Sequence, residues 1–154
     1  MGTTTERRRE RVVSLDQLIR VAAERITRFE APAAFAASAV EAVIIDIRSQ
    51  DARERDGVIP GALHIPRTVL EWRVALDSPW RNTHLGGLDQ PLILICDHGY
   101  SSILAASNLV ELGFRHAGDV IGGFDSWRGH GLPIAPLRHR PDLADTLPGT
   151  GGPE

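Results

Sequence analysis

The sequence predicts an α/β fold in which a parallel β-sheet is covered by helices on both faces. Three observations predict it. Short β-branched apolar runs alternate with stretches of helical periodicity. The most apolar run, Leu92-Ile93-Leu94-Ile95, has no polar alternation, as a strand buried on both faces requires. Glycine and proline punctuate the boundaries between these segments.

Taken in order, residues 1–13, with Arg7-Arg8-Arg9, read as a charged, disordered tail. Ser14 and Gln17 have capping-box spacing, and Leu15, Leu18, Ile19, Ala22 and Ile26 follow at helical intervals. Pro32 suits the first turn of an Ala-rich helix running to about Val40. Val43-Ile44-Ile45-Asp46-Ile47 reads as a buried strand, and Ala62-Leu63-His64-Ile65 as a second, bounded by Pro60-Gly61 and Pro66. A helix through Val69, Leu70, Trp72 and Leu76 precedes a loop from Ser78 to Gln90. The strand 92–95 ends at Cys96, and a helix runs from Ser101 to Leu112, with Gly113 as its C-terminal cap. Asp119-Val120-Ile121 is a further strand, followed by Gly122-Gly123 and a short helix around Trp127. One domain over 14–137 results, with a disordered tail over 138–154.

Composition narrows the function classes. A net charge of -3 gives no bulk attraction to nucleic acid or to anionic lipid, and Arg7-Arg8-Arg9 is better read as a solvated end than as a nucleic-acid tail. All 17 basic residues are arginine, which excludes Schiff-base chemistry on a lysine. A single cysteine allows no intramolecular disulfide and suits a reducing compartment. No apolar run approaches the ~20 residues that span a bilayer, and no apolar segment marks a secretory signal. A cytoplasmic protein without a membrane partner is expected. The histidines lack metal-ligand spacing, so no metal site is expected either.

The chemistry concentrates in Cys96-Asp97-His98-Gly99-Tyr100-Ser101-Ser102, which joins a buried strand to a helix start. In parallel sheets, ligands bind beyond the carboxyl ends of the strands, where Cys96 falls. A tight loop there can turn its amides around the sulfur, and the helix end adds partial positive charge. Such settings lower a thiol pKa from about 8.5 to roughly 3.5–7.5. Gly99 supplies backbone freedom, while Ser101 and Ser102 can cap the helix or donate to the sulfur. The competing reading is a buried, inert core cysteine.

These segments resemble the rhodanese homology domain family. Asp46-Ile47-Arg48, Ile59-Pro60-Gly61-Ala62, the Cys96 loop and Gly122-Gly123-Phe124-Asp125-Ser126-Trp127 occur in the family's order over roughly residues 26–135. The resemblance implies a five-stranded parallel sheet with helices on both faces and the active-site loop between a central strand and the following helix. It also implies sulfur transfer through a persulfide on Cys96, from a small anionic donor such as thiosulfate to cyanide or to a small thiol or thioredoxin-like acceptor, with no cofactor. The loop departs from a common family pattern, C-R-x-G-x-R-[ST]: Asp97 and Ser101 take the two arginine positions, and Val58 stands where many members have His.

Around the loop, His98 and Tyr100 are candidate contacts for donor or acceptor. Arg67 and Arg73, just after a strand end, are expected to draw the anionic donor, with Trp72 walling the pocket. Asp46 and Arg48 are expected to build structure near the site, with Arg48 paired to Glu54 or Asp51. Two other functions compete. One is a non-catalytic, regulatory binding module, which Asp97 favours. The other is a cysteine phosphatase or arsenate reductase, whose C-x5-R loop would need arginine where Ser102 stands.

Overall fold

A computed structural model describes residues 12–137 together with Leu143–Ala144. Helix α1 (Leu15–Arg25) starts as the capping box requires: the Gln17 amide donates to the Ser14 hydroxyl at 3.1 Å, and the Ser14 amide donates to the Gln17 side chain at 2.9 Å. Then come β1 (Thr27–Phe29), α2 (Ala31–Ser38), β2 (Val43–Asp46), α3 (Gln50–Asp56) and β3 (Leu63–His64). A single 3₁₀ turn, Arg67–Val69, leads into α4 (Leu70–Val74), followed by β4 (Leu92–Ile95), α5 (Ser101–Glu111), β5 (Ala117–Val120) and α6 (Gly123–Gly129). No helix among the described residues is long and apolar enough to cross a membrane.

Strands β1–β5 form one parallel sheet in the order β1-β5-β4-β2-β3. Leu143–Ala144 (β6) adds a parallel pair at the β3 edge. Otherwise the two tails expected to be disordered lie mostly outside the described residues. The path from β3 to β4 crosses back over β2, so the winding reverses beside β4. That reversal opens a crevice at the carboxyl end of the central strand, and Cys96 is the next residue.

The apolar run in β4 is explained by its two faces. Leu92 and Leu94 belong to a core with Ile45, Leu63, Leu70, Leu109 and Phe114, under α4 and α5. Ile93 and Ile95 belong to the opposite core with Ile44, Phe124 and Trp127, against α2 and α6. All four side chains are fully buried. At about 1.5–3 kcal/mol for each such side chain, this strand is among the strongest anchors in the molecule, and it fixes where Cys96 emerges. Val58 and Ala135 exchange backbone bonds of 2.8 Å, tying the segment before β3 to the chain after α6.

Two short elements were not expected from sequence, and one expected pairing is corrected. The helix expected to include Ile26 ends at Arg25 with Ile26 as its C-cap, and Thr27–Phe29 then form an edge strand, β1. Residues 50–56 form α3, capped by Ser49, whose hydroxyl accepts from the Ala52 amide at 3.1 Å. Arg48 pairs with neither Glu54 nor Asp51. It forks onto Asp46 with bonds of 3.0 and 2.8 Å, donates to the Gly57 carbonyl at 2.8 Å and stacks 3.7 Å from the Phe124 ring. The Asp-x-Arg spacing puts both groups at one strand end, where each neutralises the other inside the fold.

Candidate active site

The loop from Cys96 to Ser102 leaves β4 and enters α5 with Cys96 buried, 6% exposed. Its shape is imposed from α6. The Phe124 amide donates to the Cys96 carbonyl at 2.8 Å, and the Asp125 amide to the Asp97 carbonyl at 3.2 Å. With these carbonyls turned towards α6, the loop's own amides face inward, and the Gly99 amide donates to Sγ at 3.1 Å. The Gly122-Gly123 pair permits this approach. A Cβ at Gly123, which holds φ of +61°, would stand 2.4 Å from the Cys96 carbonyl oxygen. At Gly99, with φ of +84°, it would stand 2.6 Å from the Gly122 nitrogen.

Behind the sulfur runs a chain of polar contacts that leads through buried groups to the partly exposed Arg28. The Cys96 thiol donates to the Ser102 hydroxyl at 3.2 Å, and Ser102 donates to Asp119 Oδ2 at 2.7 Å. Ser102 and Asp119 are fully buried. Arg28, opposite Asp119 in the β1–β5 register, forks onto its carboxylate at 2.9 and 3.1 Å. The same guanidinium donates to the Gly99 carbonyl at 3.1 Å, joining the edge of the sheet to the loop. Burial opposes ionisation of Cys96. The hydroxyls of Ser102 and Ser101 and the amides of Ser102 and Gly99 outweigh it and hold the thiol below its ordinary range. Arranged so, the sulfur is a nucleophile whose negative charge is met first by the loop amides.

The rhodanese-like domain model matches residues 31–130. The chain belongs to the rhodanese-like domain family. Thiosulfate sulfurtransferase GlpE of Coxiella burnetii is 36% identical over 89 residues, spanning 57% of this chain and 73% of that one. A Rhodopseudomonas palustris protein of unknown function, described as a possible tyrosine phosphatase, is similar in structure with a TM-score of 0.74 at 29% identity, covering 88% of this chain and 99% of that chain. A thiosulfate sulfurtransferase from Pseudomonas aeruginosa is similar with a TM-score of 0.63 at 25% identity, over 80% of this chain and 23% of the other.

Within this rhodanese-like loop, the residues singled out from sequence fall into two groups. Cys96, Gly99, Ser101 and Ser102 converge on the sulfur. Neither serine caps α5: its N-cap is Tyr100 with no side-chain bond, and Ser102 is turned inward instead. Asp97 is half-buried and lies within electrostatic reach of Arg55. His98 is exposed, with Nδ1 2.7 Å from Asp125 Oδ2, and Tyr100 points to solvent at the rim.

The second group makes contacts of its own, chiefly within residues 67–82. Arg73 is 1% exposed, and its guanidinium donates to the Trp80 carbonyl, so it organises the 73–82 loop rather than drawing an anion. Trp72 lines a separate surface groove with Trp80, Ala75 and Leu112 and does not wall the Cys96 site. Arg67 is partly exposed and engaged with Glu71 at 2.9 Å, one helical turn on. Arg28 and Asp119 were missed. The available signal was a carboxylate within the otherwise uncharged Ala117–Val120 run, where burial demands a partner.

Proposed function

We propose that this rhodanese-like domain is a sulfurtransferase that moves sulfane sulfur from an anionic donor of the thiosulfate type to a thiol acceptor, through a persulfide on Cys96. The observation that carries this reading is the caged sulfur: buried, yet met by the Gly99 amide at 3.1 Å, in a loop that keeps its thiol below the ordinary range. The sulfurtransferases among its relatives support the same chemistry. The Cys96 thiolate attacks the outer sulfur of thiosulfate, the donor's S–S bond breaks, and sulfite leaves with the bonding pair. The new outer sulfur carries the charge. An acceptor thiolate attacks it, becomes a persulfide itself and returns Cys96 as thiolate; cyanide in the same role yields thiocyanate. A small thiol or a thioredoxin-like protein with an exposed cysteine suits this second step.

The phosphatase description of the Rhodopseudomonas palustris relative invites a second reading, and the site argues against it. A phosphate clamp at the end of the loop needs a bidentate arginine. Position 102 instead holds a serine, bonded at 2.7 Å to the buried Asp119, so the clamp's guanidinium is missing from that place. Aryl phosphate turnover dependent on Cys96 is therefore not expected.

Mass spectrometry tests the reading. Incubation with thiosulfate should add one sulfur atom to Cys96, and cyanide should remove it as thiocyanate. Cys96→Ser should lose both while keeping the fold, since oxygen replaces sulfur at little change in volume. Thiosulfate:cyanide activity surviving in the pure Cys96→Ser protein would overturn the mechanism.

A further inference from the structure

Ser102 has one hydroxyl hydrogen and two neighbours that compete for it. Its Oγ lies 2.7 Å from Asp119 Oδ2 and 3.2 Å from Cys96 Sγ. While Cys96 is a thiol both contacts are satisfied: S–H donates to Oγ, and O–H donates to the carboxylate. A thiolate has no hydrogen to give. Ser102 then presents a lone pair to a negative sulfur unless its hydroxyl turns. We propose that Asp119 is a positioning residue that competes with the Cys96 thiolate for the Ser102 proton, so that ionisation of Cys96 turns the Ser102 hydroxyl from Asp119 towards the sulfur.

Arg28 makes the turn possible. It donates to both carboxylate oxygens, at 2.9 and 3.1 Å, and keeps Asp119 solvated when the Ser102 bond is lost. The thiol proton leaves to solvent, and no covalent bond other than S–H changes. The arrangement has a consequence for the sulfurtransferase reading, on which this inference rests. The inner sulfur of a persulfide is a neutral thioether-like atom and does not contest the hydroxyl, which returns to Asp119. A thiolate that must compete for its donor is less stabilised, hence more nucleophilic, than one that owns it.

Other charges surround Cys96. Asp97 and His98 lie in the loop, Asp125 on α6 touches His98 at 2.7 Å, and Asp46 and Arg48 pair at the end of β2. All stay constant across the variants below, so their fields cancel in the comparison.

The test is the pH dependence of Cys96 alkylation by iodoacetamide in the full chain, which needs no sulfur donor. It compares wild type, Asp119→Asn, Ser102→Ala and the double variant. Asp119→Asn should lower the thiol pKa by about one unit, because an amide releases the serine proton and removes a charge. In the Ser102→Ala background the same change should produce less than half that shift. No lowering, or equal lowering in both backgrounds, would overturn the proposal, since a purely structural or long-range effect of Asp119 does not depend on Ser102. If Asp119→Asn does not fold, Arg28→Gln serves, being partly exposed. It strips the carboxylate of its fork and tightens its hold on Ser102. The thiol pKa should then rise, and rise less in Ser102→Ala; equal rises would overturn the idea. Failure of persulfide formation in wild type would sink the sulfurtransferase reading and leave these titrations intact.

Discussion

Asp97 puts an acidic residue next in sequence to the nucleophile, in a loop proposed to receive an anion. Were its carboxylate ~6 Å from the donor's charge, the repulsion at an effective dielectric of about 40 would be roughly 1.4 kcal/mol, about tenfold in binding. Arg55 lies within electrostatic reach of Asp97 and offsets part of this. Asp97→Asn should therefore raise kcat/KM for thiosulfate by about 3-fold, chiefly through KM, with the gain shrinking at high salt. Steady-state kinetics at two ionic strengths check it, and a large loss of activity would show that Asp97 orients the loop. At this scale the sequence was legible where chemistry is local. Cys96, Gly99 and Ser102 sit within one short run, so spacing alone joined them. Arg28 and Asp119 are 91 positions apart and meet only because β1 and β5 are neighbours in the sheet. Arg73 misled for the converse reason. A charged residue on a short helix reads as exposed, and nothing local announces that the 73–82 loop folds over it.

Among the elements, α6 acts on the loop as a mould, and Gly123 is where the two touch. An alanine there meets the Cys96 carbonyl at 2.4 Å and must hold φ of +61°. Gly123→Ala should lose the inward turn of the loop amides, with activity down by ~100-fold or more and stability down by about 1–3 kcal/mol. Its thiol should titrate higher than wild type. Gly129→Ala at the other end of α6 is the control: its Cβ meets nothing within 4 Å and should leave activity unchanged. Activity assays and urea melts of both decide the point, and an active Gly123→Ala would remove α6 from the account. The elements that set this mould were readable in sequence, because β4 is an unbroken apolar run and Gly122-Gly123 precedes the Trp127 helix. Elements that depend on tertiary contact were not. β1 is three residues, Thr27–Phe29, at a sheet edge, and its pairing with β5 decides its state more than its own propensity does. α3 is seven residues, mostly charged, without the apolar periodicity that marked α1.

For the molecule as a whole, a depressed thiol pKa is also a statement about folding. The donors that favour the Cys96 thiolate exist only in the folded chain, because β4, α5 and α6 must assemble to create them. In the unfolded chain the thiol titrates near 8.5. A group whose folded pKa is lowered contributes stability that is fully present above its unfolded pKa and is lost as pH falls through its folded pKa. The wild type should therefore gain stability relative to Cys96→Ser as pH rises from below the folded thiol pKa towards 9. The gain amounts to about 1.4 kcal/mol for each unit of depression. Below that window the two proteins should differ only by a constant set by packing. Urea unfolding of both at pH 5, 7 and 9, under reducing conditions, measures the difference directly. Using the difference removes the titration of every other group the two chains share. A difference that stays flat with pH would mean that burial cancels the loop's donors, and one that falls would mean that burial wins. Either result would remove the caged thiolate on which the sulfur-transfer reading stands.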